Sequence, residues 1–138
     1  MPMIDKTSRQ PIYEQIVQSV EREIAAGLLK ENEKLPSVRE LSVLLNANPN
    51  TVQKAFAELD RAGLIVSYPG RGCFVAPGAR RVIHERGQAK LSEIAAIACD
   101  LLRAGFSTDE LHAAQDRACR TYQTTQEIQA AQERKETL

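Results

Sequence analysis

Four side chains in the run Asn50-Thr51-Val52-Gln53-Lys54 have the chemistry to read polar edges on another molecule. Asparagine and glutamine each present an acceptor and two donors on a planar amide, which suits bidentate bonding to adenine, and threonine can meet a base or the thymine methyl. Val52, Ala55, Phe56 and Leu59 recur at i, i+3, i+4 and i+7, so a helix through this run turns one apolar stripe inward. Asn50, Gln53, Lys54 and Ala57 then lie on the other side. The competing reading is a plain solvated face, and the flanking residues decide between the two.

Upstream, Ser37 stands three residues before Glu40, the capping-box spacing at a helix start. Leu41, Leu44 and Leu45 supply that short helix with an inner face. It ends at Asn46, a residue type that tolerates the left-handed conformation helix ends favour. Asn48 offers a second N-cap, with Pro49 at the first helical position, where its missing N–H costs nothing. Two short helices joined by a tight turn, the second amide-rich at its start, describe a helix-turn-helix. Downstream, Gly63 closes the second helix, and Leu64–Tyr68 and Cys73–Val75 are rich in strand formers. Pro69-Gly70-Arg71-Gly72 between them is a turn sequence whose glycines permit positive φ. A β-hairpin directly after a helix-turn-helix makes a winged helix, with Arg71 at the wing tip.

In that frame other side chains gain roles. Arg39 lies in the first turn of the preceding helix, where its guanidinium fork could bridge phosphate oxygens or reach a guanine. Its alternative is a surface ion pair with an acid such as Glu58. Ser37 and the amides behind it could hold a phosphate or simply cap the helix. Gly70 and Gly72 let the wing backbone approach closely, and Arg71 could enter a minor groove.

The rest of the chain must position these residues. Residues 1–9 read as a polar, partly ordered leader. From Pro11, the spacing of Tyr13, Ile16, Val17, Val20 and Ile24 predicts a helix closed by Gly27. Lys30-Glu31-Asn32-Glu33-Lys34 reads as a charged connection. Ala76-Pro77-Gly78 marks a boundary, and the basic stretch 79–90 reads as helix or hinge. Leu91, Ile94, Ala95, Ala98, Leu101 and Leu102 form an amphipathic stripe ending near Gly105. Ser107-Thr108-Asp109-Glu110 is a second capping box, opening a helix with Leu111, Ala114, Ala118, Tyr122 and Ile128 on one side. The expected organisation is mainly α with a small β-hairpin wing: a winged helix-turn-helix domain over 1–76, a linker or hinge over 77–90, and a helical region over 91–138.

Composition narrows the classes. The 138 residues are 43% hydrophobic but only 4% aromatic, so the core must be aliphatic. No apolar run approaches the roughly 18 residues a membrane span needs, and the start lacks a signal-peptide core, which predicts a cytoplasmic protein. Eighteen basic and eighteen acidic residues sum to zero net charge, so a nucleic-acid surface would have to come from sorting charges onto opposite faces. Cys73, Cys99 and Cys119 show no C-x-x-C spacing and read as buried, reduced thiols. His84 and His112 lack a metal-ligand neighbour pattern, so no metal or cofactor is expected. No nucleophile–base set, phosphate loop or convergent carboxylate pair suggests an enzyme.

These residues resemble the GntR-type bacterial transcription regulators. The likeness covers residues 11–75 and rests on the LPSVREL, NPNTVQKAF-x-EL-x-x-x-GLI and GRGCFV blocks in order. The short helical tail is similar to the YtrA-like subfamily, and Pro49 departs from the arginine many members of the wider family carry. The resemblance implies a homodimeric repressor of a palindromic operator, with double-stranded DNA met by positions matching Ser37, Arg39, Asn48, Asn50, Thr51, Gln53 and the wing at Gly70–Gly72. It also implies dimerisation through the tail, for which Leu91, Ile94, Ala98, Leu101, Leu102, Leu111, Ala118 and Tyr122 are the candidates.

One winged helix reads about one half-site, so useful specificity needs two units about one helical turn apart. The tail's mixed period predicts a helical bundle between protomers in place of a zipper; the alternative is folding back onto the wing domain. Induction would need a small-molecule effector that prefers the DNA-incompetent geometry, since equal affinity for both shifts nothing. Two rival readings remain: a winged helix that docks proteins, which would expose apolar residues, and an RNA binder, which would expose aromatics.

Overall fold

In the computed structural model, residues 4–137 are described. Five helices and one hairpin follow in chain order: α1 (Ile12–Ala25), α2 (Val38–Leu45), α3 (Pro49–Arg61), β1 (Ile65–Tyr68), β2 (Gly72–Val75), α4 (Ala79–Arg103) and α5 (Thr108–Glu136). The chain divides into two units at Ala89 and Lys90.

The first unit is built around one aliphatic core. Ile16, Val20 and Ile24 on α1 meet Val52, Ala55, Phe56 and Leu59 on α3, the helical spacings expected for inward faces. Leu41, Leu64, Ile65 and Val75 complete the core, which is closed by Ala76 and Ala79. Local signals set the boundaries. Asn46 takes the left-handed conformation at φ 49°, ending α2, and Gly63 at φ 77° lets the chain leave α3.

Two features differ from the sequence expectation, and a third decides between its alternatives. Leu44 is exposed, because the buried face of α2 centres on Val38, Leu41, Ser42 and Leu45, more than a quarter-turn away. Residues 32–35 are more than a connection. Asn32 N–H donates to the Val75 carbonyl at 2.9 Å, Val75 N–H to Glu33 at 2.9 Å, and Leu35 N–H to Cys73 at 2.8 Å. The hairpin thereby gains a third rung, bridged between Lys34 and Phe74. Finally, residues 79–89 are helical, the opening turns of α4. Ala79 is buried while Val82 and Ile83 pack partly against the core, so the i, i+3, i+4 spacing holds this basic stretch on the first unit.

The second unit comprises the rest of α4, the turn at Gly105 and α5. Ser107 accepts the Glu110 N–H at 3.1 Å while Glu110 accepts the Ser107 N–H at 2.8 Å, the reciprocal capping box. Beyond Ala79, no described residue of α4 or α5 is buried. Among the described residues, no helix is long and apolar enough to cross a membrane.

Candidate nucleic-acid interface

Helix starts place the candidate reading residues. Ser37 Oγ accepts the Glu40 N–H at 3.1 Å, and Glu40 accepts the Ser37 N–H at 3.3 Å. Asn48 Oδ1 accepts the Asn50 N–H at 2.9 Å, with Pro49 behind it. Both side chains therefore act as caps that fix where α2 and α3 begin. From α3, Asn50 and Gln53 extend into solvent while Thr51 is half-buried. Arg39 is exposed with no partner among the described residues. Glu58, its alternative ion-pair partner, bonds Arg61 at 2.7 Å instead. Lys54 is held differently from its neighbours: its Nζ lies 4.0 Å from the centre of the Tyr13 ring, a cation–π contact that ties α3 to α1. The Tyr13 hydroxyl donates to Glu14, which with burial raises its pKa.

The wing is a three-residue loop, since Tyr68 pairs with Gly72. Arg71 N–H donates to the Tyr68 carbonyl at 2.9 Å, and Gly70 sits at φ 75°, the arrangement of a type II turn with proline at its second position. Arg71 is thus presented at the tip, exposed. Gly72 sits at φ 113°, where a side chain is disfavoured; a Cβ there would lie 2.9 Å from Lys34 Cε, the flexible end of an exposed side chain. An open cleft of about 540 Å³ separates α3 from the hairpin, walled by Gln53, Ala57, Asp60, Tyr68, Gly70 and Gly72.

The sequence reading missed three of these neighbours. Lys34 reaches the wing only through the rung that residues 32–35 add. Tyr68, half-exposed, stands edge-on to Phe74 at 5.7 Å. Asp60 follows Gln53 by seven residues and so shares its helix face; that spacing was the available signal.

The cysteines divide. Cys73 is half-buried, and burial pushes its thiol pKa up despite a 3.7 Å contact from Ser67 Oγ. Cys99 and Cys119 are exposed, contrary to the expectation of burial, because α4 and α5 enclose no core in a single chain. No group of three metal-capable side chains occurs among the described residues.

Of the tail candidates, Leu91, Ile94, Leu102 and Tyr122 are exposed, Ala98, Leu101 and Leu111 are half-buried, and Ala118 is exposed. Ile97, Phe106 and Ile128 join them as large apolar side chains in solvent.

Helix-turn-helix, hairpin wing and an exposed amide-bearing helix face together define a winged-helix DNA-binding protein. The pattern of the bacterial regulatory proteins of the gntR family matches residues 12–75. The HTH-type transcriptional repressor YtrA of Bacillus subtilis (strain 168) is 40% identical over 113 residues, covering 81% of this chain and 87% of that one. Among solved structures, YtrA from Sulfolobus acidocaldarius, a GntR-family transcription factor, is 40% identical with a TM-score of 0.52, covering 64% of this chain and 97% of that one. A GntR family transcriptional regulator from Listeria monocytogenes is 30% identical with a TM-score of 0.62, covering 83% and 98%. The chain belongs to the GntR family of transcriptional regulators, in its YtrA-like branch.

Proposed function

We propose that this regulator is a repressor acting as a homodimer on a two-fold-symmetric operator. In this reading α3 enters the major groove with Asn50, Thr51 and Gln53 toward base edges. Ser37 and Arg39 at the start of α2 meet phosphates, and Arg71 carries the wing toward the flanking groove. Asn48 sets the register of α3 through its cap. Lys54, drawn onto Tyr13, stiffens the α1–α3 packing and reaches backbone phosphates from there.

The observation that carries the dimer is the uncovered tail. A helix of 29 residues that buries none of them has no packed face to stabilise it within one chain. A second copy offers the same apolar side chains, and a two-fold axis lets each stripe cover the other. Leu91, Ile94, Ala98, Leu101 and Leu102 of α4, with Leu111, Ala118 and Tyr122 of α5, form that interface. Residues 91–138 are then the dimerisation region, and residues 77–90 connect it to the DNA-binding domain.

A docking role for the winged helix has one observation in its favour: Val43 and Leu44 on α2 are exposed. One experiment decides between the readings. Selection of bound duplexes from a random pool at fixed salt should recover a two-fold-symmetric site. Recovery of nothing above nonspecific binding would refute the operator reading and favour protein docking.

A further inference from the structure

We propose that Asp5–Gln10 is an ordered DNA-contacting arm, clamped by Gln15, that delivers Lys6 to the phosphate backbone beside the start of α3. The inference rests on the reading surface proposed above. Gln15 is buried in α1, yet its whole amide serves this segment. Its Oε1 accepts the Asp5 N–H at 2.7 Å, and its Nε2 donates to the carbonyls of Asp5 at 3.0 Å and Gln10 at 2.9 Å. One side chain thus closes both ends of a six-residue loop. Inside the loop, Asp5 accepts the Thr7 N–H and hydroxyl at 2.9 and 2.6 Å, and Ser8 Oγ accepts the Gln10 N–H. Ile4 anchors the loop's entrance against the core.

The loop lies where the helix-turn-helix turns. Lys6 Nζ donates to the carbonyl of Asn46 at 2.6 Å, forty residues away in sequence. Asn46 ends α2, and Asn48 begins α3 two residues later, at most about 7.6 Å along the chain. The ammonium therefore stands at the turn that leads from α2 into the recognition helix. It has three donors, and the Asn46 carbonyl takes one. A cation at the end of α2 also suits the helix dipole, but that accounts for Lys6 alone. It leaves unexplained a buried glutamine devoted to a loop whose other members Thr7, Ser8 and Arg9 are exposed, with Arg9 unpaired among the described residues.

The test measures affinity for the selected operator against salt concentration. Lys6→Gln keeps a donor for the Asn46 carbonyl and removes the charge. The slope of log K against log salt should become shallower by about 1.8 for the dimer, about 0.9 for each protomer's lysine. Between about 50 and 200 mM salt this variant should then lose about 12-fold less affinity than wild type. Base preference should be unchanged, and Lys6→Arg should restore the slope. Gln15→Leu, which unclamps the loop, should give the Lys6→Gln slope; should it fail to fold, the Lys6 pair decides. An unchanged slope for Lys6→Gln, while Arg39→Gln flattens it, would overturn the arm alone and leave Lys6 as a cap of α2. Absence of sequence selectivity in the wild type would overturn both proposals.

Discussion

The dimer can be tested on α4 by replacing Leu91 and Ile94 together with alanine. Leu91 is 59% exposed and Ile94 47%, so between them they hold in water roughly the surface of one large aliphatic side chain. Burying one such side chain is worth about 1.5–3 kcal/mol. Two-fold symmetry counts the loss on both protomers, making it about 3–6 kcal/mol. At about 1.4 kcal/mol per tenfold, the dimer dissociation constant should rise by about 10²- to 10⁴-fold. Sedimentation velocity over a concentration series reads this directly, with wild type dimeric where the variant is monomeric. Operator affinity should fall over the same concentrations, while binding to an isolated half-site persists. The winged-helix core should melt as in wild type, because neither residue belongs to it. Dimerisation with wild-type affinity would refute the reasoning, and the stripe would have to be covered by the chain's own first unit.

Three further outcomes are expected. Gln53→Ala should cost about 1–3 kcal/mol of discrimination at one base pair of each half-site, and Arg71→Ala should weaken all duplexes evenly with a dimer salt slope shallower by about 1.8, about 0.9 per protomer. Competition titrations against operator variants check both, and wild-type behaviour in both would mean that helix and wing are misassigned. Gly72→Ala should destabilise the first unit by about 1–3 kcal/mol, because φ 113° disfavours a side chain; calorimetry with an unchanged midpoint would show that the strand relaxes. At mildly alkaline pH, iodoacetamide should modify Cys73 last, since burial holds its thiol above the ordinary range. Mass mapping showing Cys73 labelled as fast as Cys99 and Cys119 would contradict this.

Elements fixed by a few neighbouring residues were legible in the sequence. Ser37 with Glu40, Asn46, Asn48 with Pro49, and Ser107 with Glu110 all act within one helical turn, and each appears in the structure as the spacing predicts. The hairpin was legible for the same reason: its turn chemistry lies between two strand-forming runs. What escaped was long-range pairing. Glu33 and Lys34 have no strand preference of their own; they are extended because β2, forty residues on, offers free backbone groups. Gln15 reads as an ordinary polar residue beside Ile16 until the loop it closes is seen. The stretch 79–89 reads as a linker because its apolar set, Ala79, Val82 and Ile83, fills little more than one turn. The tail's stripe was visible in the sequence, and within one chain it stays exposed.

Zero net charge is the observation least suited to a DNA-binding protein, and the structure shows how the two fit. Residues 1–76 carry nine acids and nine bases. Six of the acids are tied into local bonds. Asp5 holds its own turn, Glu14 the Tyr13 hydroxyl, Glu21 the Arg86 guanidinium, Glu33 the Lys30 N–H, Glu40 the Ser37 N–H and Glu58 the Arg61 guanidinium. Several bases are not matched in this way. Arg39, Arg71, Lys34 and Arg9 pair with no acid among the described residues, Lys54 rests on a ring, and Lys6 on a carbonyl. These acids are engaged by amides, a hydroxyl and two guanidinium groups, that of Arg61 at the C-terminal end of α3, while the unmatched cations stand at the start of α2, beside and on the wing, and in the leader. On the proposed interface such sorting would supply positive charge without a positive sum, because phosphate contacts respond to the local field within a Debye length of about 8–10 Å, not to the total.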